Sequence, residues 1–177
     1  TKREFSYKGE HIFSANEIRK YSSKLEAIRN SILNSSGIVM IYSQYIDGGC
    51  VPLALMLEEM GITRMNNKSL FKEAPVPPVN ALSLEPDGNK KQRAHYAMIT
   101  GDRMLSPHNL LEFKTVSSES NKNGEKVKVV IISRAGAEGL DFQNIRQVHI
   151  MEPWYNINRI EQIIGRGVRN CSHKKLP

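Results

Sequence analysis

The sequence predicts an α/β layer fold in which a mainly parallel sheet is covered by helices on both faces. Three observations carry this. Ile38–Ser43 is a short, continuous apolar run rich in β-formers, as suits a strand buried on both faces, and Tyr96–Thr100, Val127–Ile132 and Gln147–Met151 read as further strands. Segments of helical spacing stand between them, and such alternation builds βαβ units with right-handed crossovers. Polar residues follow the runs: Ser43-Gln44, Thr100-Gly101-Asp102, Ser133-Arg134 and Glu152. In an open α/β sheet ligands collect at this carboxyl edge, although loops are polar in any case.

Taken in order, residues 1–17 read as an extension or interlobe linker and 18–177 as the domain. Ser14-Ala15-Asn16-Glu17 has the form of a capping box, and Ile18, Tyr21, Leu25, Ile28 and Ile32 follow on one helical face. Asn34 to Gly37 end that helix. After the first strand Gly48-Gly49 makes a turn, Pro52 opens a helix running to about Met60, and Gly61 closes it. Residues 62–95 carry Pro75, Pro77, Pro78 and Pro86 and read as a Pro-rich surface insertion, partly ordered at best. Ser106-Pro107 opens a helix with Leu110, Leu111 and Phe113, and Ser117–Lys126 is a loop.

At 177 residues the chain suits one ordinary domain. Its 40% hydrophobic and 24% charged content implies a packed core, not disorder. No apolar run approaches the ~20 residues that span a bilayer. The start, Thr1 to Phe5, has neither a signal peptide nor a Met, which reads as a piece of a longer protein. Two cysteines far apart suit a reducing, intracellular compartment. Cys171-Ser172-His173 cannot supply four zinc ligands, so no metal site is assigned. A net charge of +7 favours polyanions without proving that one binds.

Chemistry concentrates in two segments. As a helix, Asn158 to Asn170 places Ile160, Ile163, Ile164 and Val168 within a sector of about 140°. Arg159, Gln162, Arg166 and Arg169 gather on the opposite side within about 80°. Planar guanidinium forks match phosphate oxygens, whereas a solvated polar face is the bland alternative. Gly165 and Gly167 each weaken a helix by about 1 kcal/mol, which is easier to understand where something approaches closely. In Ser133 to Asp141 two glycines three apart, Gly136 and Gly139, permit a sharp turn whose N–H groups can bind phosphate. Asp141 could accept from ribose hydroxyls.

Gln162-Ile163-Ile164-Gly165-Arg166-Gly167-Val168-Arg169 resembles superfamily 2 helicase motif VI, Q-x-x-G-R-x-x-R. Ser133 to Asp141 resembles motif V, and Ile38 to Gln44 the strand of motif IV. All three stand in the family's order, over a resemblance running from about Tyr21 to Pro177. Ile41-Tyr42-Ser43-Gln44-Tyr45 and His149-Ile150-Met151-Glu152-Pro153-Trp154-Tyr155 resemble one branch, the helicase-like ATPases of nucleocytoplasmic large DNA viruses. That branch is similar to poxvirus early-transcription ATPases and Swi/Snf-type translocases.

The resemblance implies a RecA-like three-layer sandwich, the C-terminal lobe of a helicase or translocase. ATP would lie between this lobe and the N-terminal RecA-like lobe of the same chain. Arg169 would be the arginine finger on the γ-phosphate, with Arg166 beside it and Gln162 arranging phosphate and water. Gly139 and Asp141 would touch the nucleotide. Ser43, Gln44, Thr100, Ser133 and Arg134 would contact the backbone of DNA or RNA. His149, inside a strand, reads as an ordinary core or edge histidine. No G-x-x-x-x-G-K-[ST] is present, no Gly-Lys pair at all, and no D-E-x-H-like strand end. The family carries these on the first lobe, which holds the triphosphate and Mg²⁺. This chain alone is therefore expected to be monomeric, to bind neither ATP nor Mg²⁺ stably, and to hydrolyse nothing. No membrane partner is expected, and a viral origin would place the protein in host cytoplasm or virion. The alternative is a RecA-like nucleic-acid-binding scaffold that has lost catalysis; the intact Arg166 and Arg169 argue against it. A nucleotide-binding enzyme unrelated to helicases fails on the absent Rossmann fingerprint.

Overall fold

A computed structural model of the chain describes residues 3–86, 90–136, 138–152 and 157–167. Its sheet comprises β1 (Ile38–Tyr42), β2 (Thr63–Arg64), β3 (His95–Ile99), β4 (Val127–Ile132) and β5 (Ile145–Ile150). The strands lie in the order β2-β3-β4-β1-β5 and every pairing is parallel. The helices are α1 (Ile18–Tyr21), α2 (Ser23–Leu33), α3 (Val51–Glu59), α4 (Asn109–Val116) and α5 (Ile157–Gly167).

The pleat sorts the strand residues into two apolar layers. Val39, Ile41, Tyr96, Met98, Val129 and Ile131 pack with residues of α1, α2 and α3. Ile38, Met40, Tyr42, Ala97, Ile99, Val130 and Ile132 pack with Val116 of α4 and Ile163 of α5. Both faces of β1 and β4 are buried, so neither strand shows polar alternation. This is the α/β sandwich that the resemblance implies.

The first helix departs from expectation. It is two helices, broken at Ser22, which is extended (φ −157°, ψ 107°) and accepts the Leu25 N–H on its hydroxyl at 3.1 Å. Ser22 therefore caps α2. The Ile18 N–H bonds the backbone carbonyl of Ser14 instead of its side chain, and α1 has no side-chain cap. Tyr21, placed on the apolar face by spacing, is 58% exposed and donates its hydroxyl to Glu10.

Residues 62–95 do more than decorate the surface. They supply β2, and Leu70, Phe71, Val79 and Ala81 are buried in the core. Prolines remove ladder donors, and a buried carboxylate does the anchoring. Glu58 of α3 accepts the N–H groups of Leu70 (2.8 Å) and Phe71 (2.9 Å) and the hydroxyl of Tyr96 (2.7 Å). Onto this excursion the N-terminal segment adds a strand-like bridge. The Phe5 N–H donates to the Leu70 carbonyl (2.8 Å) and the Lys72 N–H to the Phe5 carbonyl (2.9 Å). Gly61, at φ +82°, closes α3 as expected.

Helix α4 also presents a different face from the one its leucines suggest. Leu110 and Leu111 are exposed, and Glu112 and Val116 are buried. β2 is only two residues long, so the outer edge of β3 runs out of partners, and Glu112 accepts the Met98 N–H at 2.8 Å. It also accepts from the Asn67 amide at 3.2 Å. Burial pushes the Glu112 carboxyl up to about 7, although the Met98 N–H pulls the other way.

A folded-state pKa above the unfolded one means that the fold prefers the protonated acid. The charged form costs on the order of 3 kcal/mol above neutral pH, and this penalty is relieved as pH falls through about 7. The thermal midpoint of the parent should therefore gain on that of Glu112→Gln as pH falls from about 8 to about 6.5. An unchanged slope in the variant would refute the assignment. His95 and His149 oppose the gain near pH ~6.5 equally in parent and variant, so the difference between the two slopes isolates Glu112. Burial holds both below the ordinary histidine value, so their contribution is lost as pH falls further.

Candidate functional site

β3, β4 and β1 lie side by side, so the residues that follow them meet at one edge of the sheet. The Ser43 N–H bonds the Ile132 carbonyl and the Ser133 N–H the Ile99 carbonyl, both at 3.1 Å, extending the ladders by one residue. Thr100, Ser133 and Ser43 are thus brought together, all three buried. Their hydroxyls turn inward. Thr100 Oγ1 is 2.7 Å from Ser106 Oγ and accepts the Asp102 N–H at 3.2 Å. Ser133 Oγ accepts the N–H groups of Gly101 (3.1 Å) and Gly136 (3.3 Å). Ser43 Oγ lies 2.9 and 3.1 Å from the carboxylate oxygens of Glu152. These hydroxyls shape the loops, and Gln44 (half-buried) and Arg134 (exposed) bring side chains to the surface.

Two glycines make the close packing possible. A Cβ on Gly136 would strike the Ile99 carbonyl and the Thr100 backbone, and one on Gly101 would lie 2.7 Å from the Ala135 Cβ. The loops after β3 and β4 therefore touch backbone to backbone. Acidic groups flank this edge. Asp47, after β1, and Asp102, after β3, both pair with Arg3 of the N-terminal segment, at 3.4 and 3.1 Å.

The remaining candidates lie further along the chain. Gly139 is exposed at φ +75° with open space above it, a conformation that favours glycine. Asp141 is exposed too, and the next residue, Phe142, is buried against Phe113 (centroids 5.2 Å apart, edge-on). On α5 Gln162 is exposed, Ile163 buried, Ile160 half-buried and Ile164 41% exposed. The sheet-facing stripe is thus narrower than the ~140° of the helical projection. Phe142 and Ile163 belong to the same apolar layer, so the Ser133–Asp141 loop and α5 are anchored on one face of the sheet. Arg166 falls within α5; its side chain, that of Arg159, and Val168 and Arg169 entirely lie outside the described residues.

The helicase conserved C-terminal domain family matches residues 23–171. The chain belongs to that family. Among its relatives is a protein of Acanthamoeba polyphaga mimivirus named "Putative ATP-dependent RNA helicase R563", 35% identical over 162 residues, covering 90% of this chain and 24% of the relative. The "Termination factor NPH-I homolog" of African swine fever virus is 30% identical over 174 residues, 88% of this chain and 24% of its own. "Putative helicase 087L" of Invertebrate iridescent virus 3 is 26% identical over 163 residues, 90% and 15%. All three belong to large DNA viruses, the branch that the two strings resemble. The chain spans about a quarter or less of the length of these relatives.

Within this helicase C-terminal domain, three carboxylates have contacts that the sequence did not reveal. Glu58 and Glu112 are buried acceptors for backbone donors, and a single Glu on a helix carries no signal of that. Glu152 follows β5 and reaches the loop after β1; only its place at a strand end was visible. Cys50, buried beside it, has its thiol pushed up to about 12, by burial first and the Glu152 charge second, which rules out a reactive thiolate. His149 lies within β5 opposite Ile41, with Nε2 3.3 Å from the Gln147 side-chain oxygen. Among the described residues no group of three His, Cys, Asp or Glu could hold a metal ion, and no helix is long and apolar enough to cross a membrane.

Proposed function

We propose that this domain is the second lobe of an ATP-dependent helicase or translocase. It would meet the N-terminal RecA-like lobe of the same protein across ATP and hold the backbone of DNA or RNA along its carboxyl edge. The observation that carries the reading is the meeting of the loops after β1, β3 and β4 at one edge of a sheet whose one face carries α5, with Gln162 exposed on it. The names of the relatives, an RNA helicase and a termination factor, agree with it.

The donor set suits phosphate. Gln162, Arg166 and Arg169 offer amide and guanidinium N–H groups, and Asp141 offers an acceptor for ribose. Mg²⁺ would be held by the other lobe and the nucleotide, where the family carries its acidic strand end. When bound, ATP supplies a γ-phosphoryl group whose transfer to water concentrates negative charge. Arg169 would neutralise that charge, Arg166 would hold the neighbouring phosphate, and Gln162 would orient the attacking water. At the other site Gln44 and Arg134 would track phosphates, with loop N–H groups shaped by Ser43, Thr100 and Ser133. Such contacts position a polymer without reading its sequence. The lobe alone would be a monomer without turnover. Viral relatives point to host cytoplasm or virion as its location.

The decisive experiment is ATP hydrolysis by the full-length protein with and without single- and double-stranded DNA and RNA. Stimulation by a polymer supports the motor reading, and silence with every polymer favours the scaffold. A second test bears on Arg134. Arg134→Ala should weaken polymer binding alike across sequences and lower the slope of log affinity against log salt by about 1. An unaltered slope would remove the phosphate contact.

A further inference from the structure

Glu152 joins two places that the proposed function leaves separate. Its carboxylate accepts from Ser43 Oγ on both oxygens and from the Gln44 N–H at 3.0 Å. The residue before it is fixed from two sides: the Met151 N–H donates to the Tyr42 carbonyl at 2.9 Å, and Lys24 of α2 donates to the Met151 carbonyl. Gly49 leaves the room required. A Cβ there would overlap Ser43 Oγ and approach Glu152 Oε1 to 3.2 Å.

On one side of this link stands Gln44, at the edge proposed for the polymer. On the other, α5 begins at Ile157, five residues after Glu152, and carries Gln162 and Arg166. Charge-assisted hydrogen bonds of this kind are roughly twice as strong as neutral ones, and with three short contacts the joint is stiff. A shift of the Gln44 backbone under a bound phosphate would thus be felt at Glu152, five residues before α5 begins.

We infer that Glu152 is a positioning residue that transmits polymer engagement at the Ser43–Gln44 loop to the arginine-bearing helix. The inference rests on the motor reading above. Glu152 does not touch polymer or nucleotide. Its effect is on the ratio of stimulated to basal turnover, a quantity that plain loss of structure does not single out.

The test is Glu152→Gln in the full-length protein. The amide keeps the shape but removes the charge, and one of its two ends can only donate, so the contacts to the Ser43 hydroxyl and the Gln44 N–H lose their charge assistance. The stimulated-to-basal ratio should fall about tenfold, a typical size for a coupling residue, while polymer affinity stays as in the wild type. Ser43→Ala removes one arm and leaves the Gln44 arm in place. It should lower the ratio less, and adding it to Glu152→Gln should lower the ratio no further. Should Glu152→Gln melt near the assay temperature, Ser43→Ala decides the matter by its ratio at saturating polymer, since Ser43 also shapes the loop proposed to meet the polymer. Wild-type stimulation in both variants would overturn the inference and leave the motor reading standing. So would polymer affinity falling in step with the ratio in Glu152→Gln, or basal and stimulated rates falling together. A wild-type protein that no polymer stimulates would remove both.

Discussion

Arg169→Ala in the full-length protein should abolish ATP turnover and leave nucleic-acid binding nearly intact. In the helicase C-terminal domain family to which the chain belongs, this arginine closes the Q-x-x-G-R-x-x-R string. Neutralising charge on a transferring phosphoryl group contributes ~10³–10⁵ in rate in well-studied NTPases. The loss should appear in kcat, because the interaction strengthens as charge develops and is weak in the ground state. Arg169→Lys should not restore the rate, since an ammonium lacks the planar fork. Polymer affinity, measured without nucleotide, should be unchanged, because polymer contacts are assigned to Gln44, Arg134 and the loops at the carboxyl edge. A large loss of polymer binding would transfer Arg169 to that surface and end its role as a finger.

Glu58→Ala should cost about 4 kcal/mol of unfolding free energy. The side chain satisfies three donors at once, the Leu70 and Phe71 N–H groups and the Tyr96 hydroxyl, and the first two tether the Pro-rich excursion. Each donor left buried and unpartnered costs about 1–3 kcal/mol, less whatever water recovers. Glu58→Gln should cost less, because one acceptor oxygen remains. Glu138→Ala, at an exposed position, should fall within about 0.5 kcal/mol of the parent. Urea denaturation of the three variants checks the order. A loss under about 1 kcal/mol for Glu58→Ala would mean that the excursion is not held through this carboxylate.

How much of this was legible in the sequence depends on the range of the forces involved. β4 was read to the residue, and β1 and β3 to within one, because burial on both faces leaves mostly apolar runs, with buried Lys128 the exception in β4. β5 begins at Ile145, two residues before its predicted start, since exposed Arg146 interrupts the pattern on an edge strand. The excursion 62–95 was misjudged because its order comes from Glu58, on another element. The burial of Glu112 on α4, with Leu110 and Leu111 exposed, was not legible because it answers the free Met98 N–H at a ladder end on another element. At the site, the loops after β1, β3 and β4 were visible as polar residues closing apolar runs. The inward turn of Ser43, Thr100 and Ser133 was not. A hydrogen bond spanning 109 residues, as between Ser43 and Glu152, leaves no local trace.

The strand order has a consequence for how this domain comes into being. β1 is the first strand made, yet it pairs only with β4 and β5, Val39 beside Val129 and Met40 beside Val148. During synthesis Ile38–Tyr42, apolar throughout, waits with both edges unpaired until most of the domain has left the ribosome. Contacts so distant along the chain close slowly, and a bare apolar strand invites pairing with other chains meanwhile. The capped α2 and the apolar α3, on either side of β1 in the chain, can shelter one of its faces early. The other face must wait for α4 and α5, so the nascent lobe passes through a half-covered stage in which chaperones have the most to do.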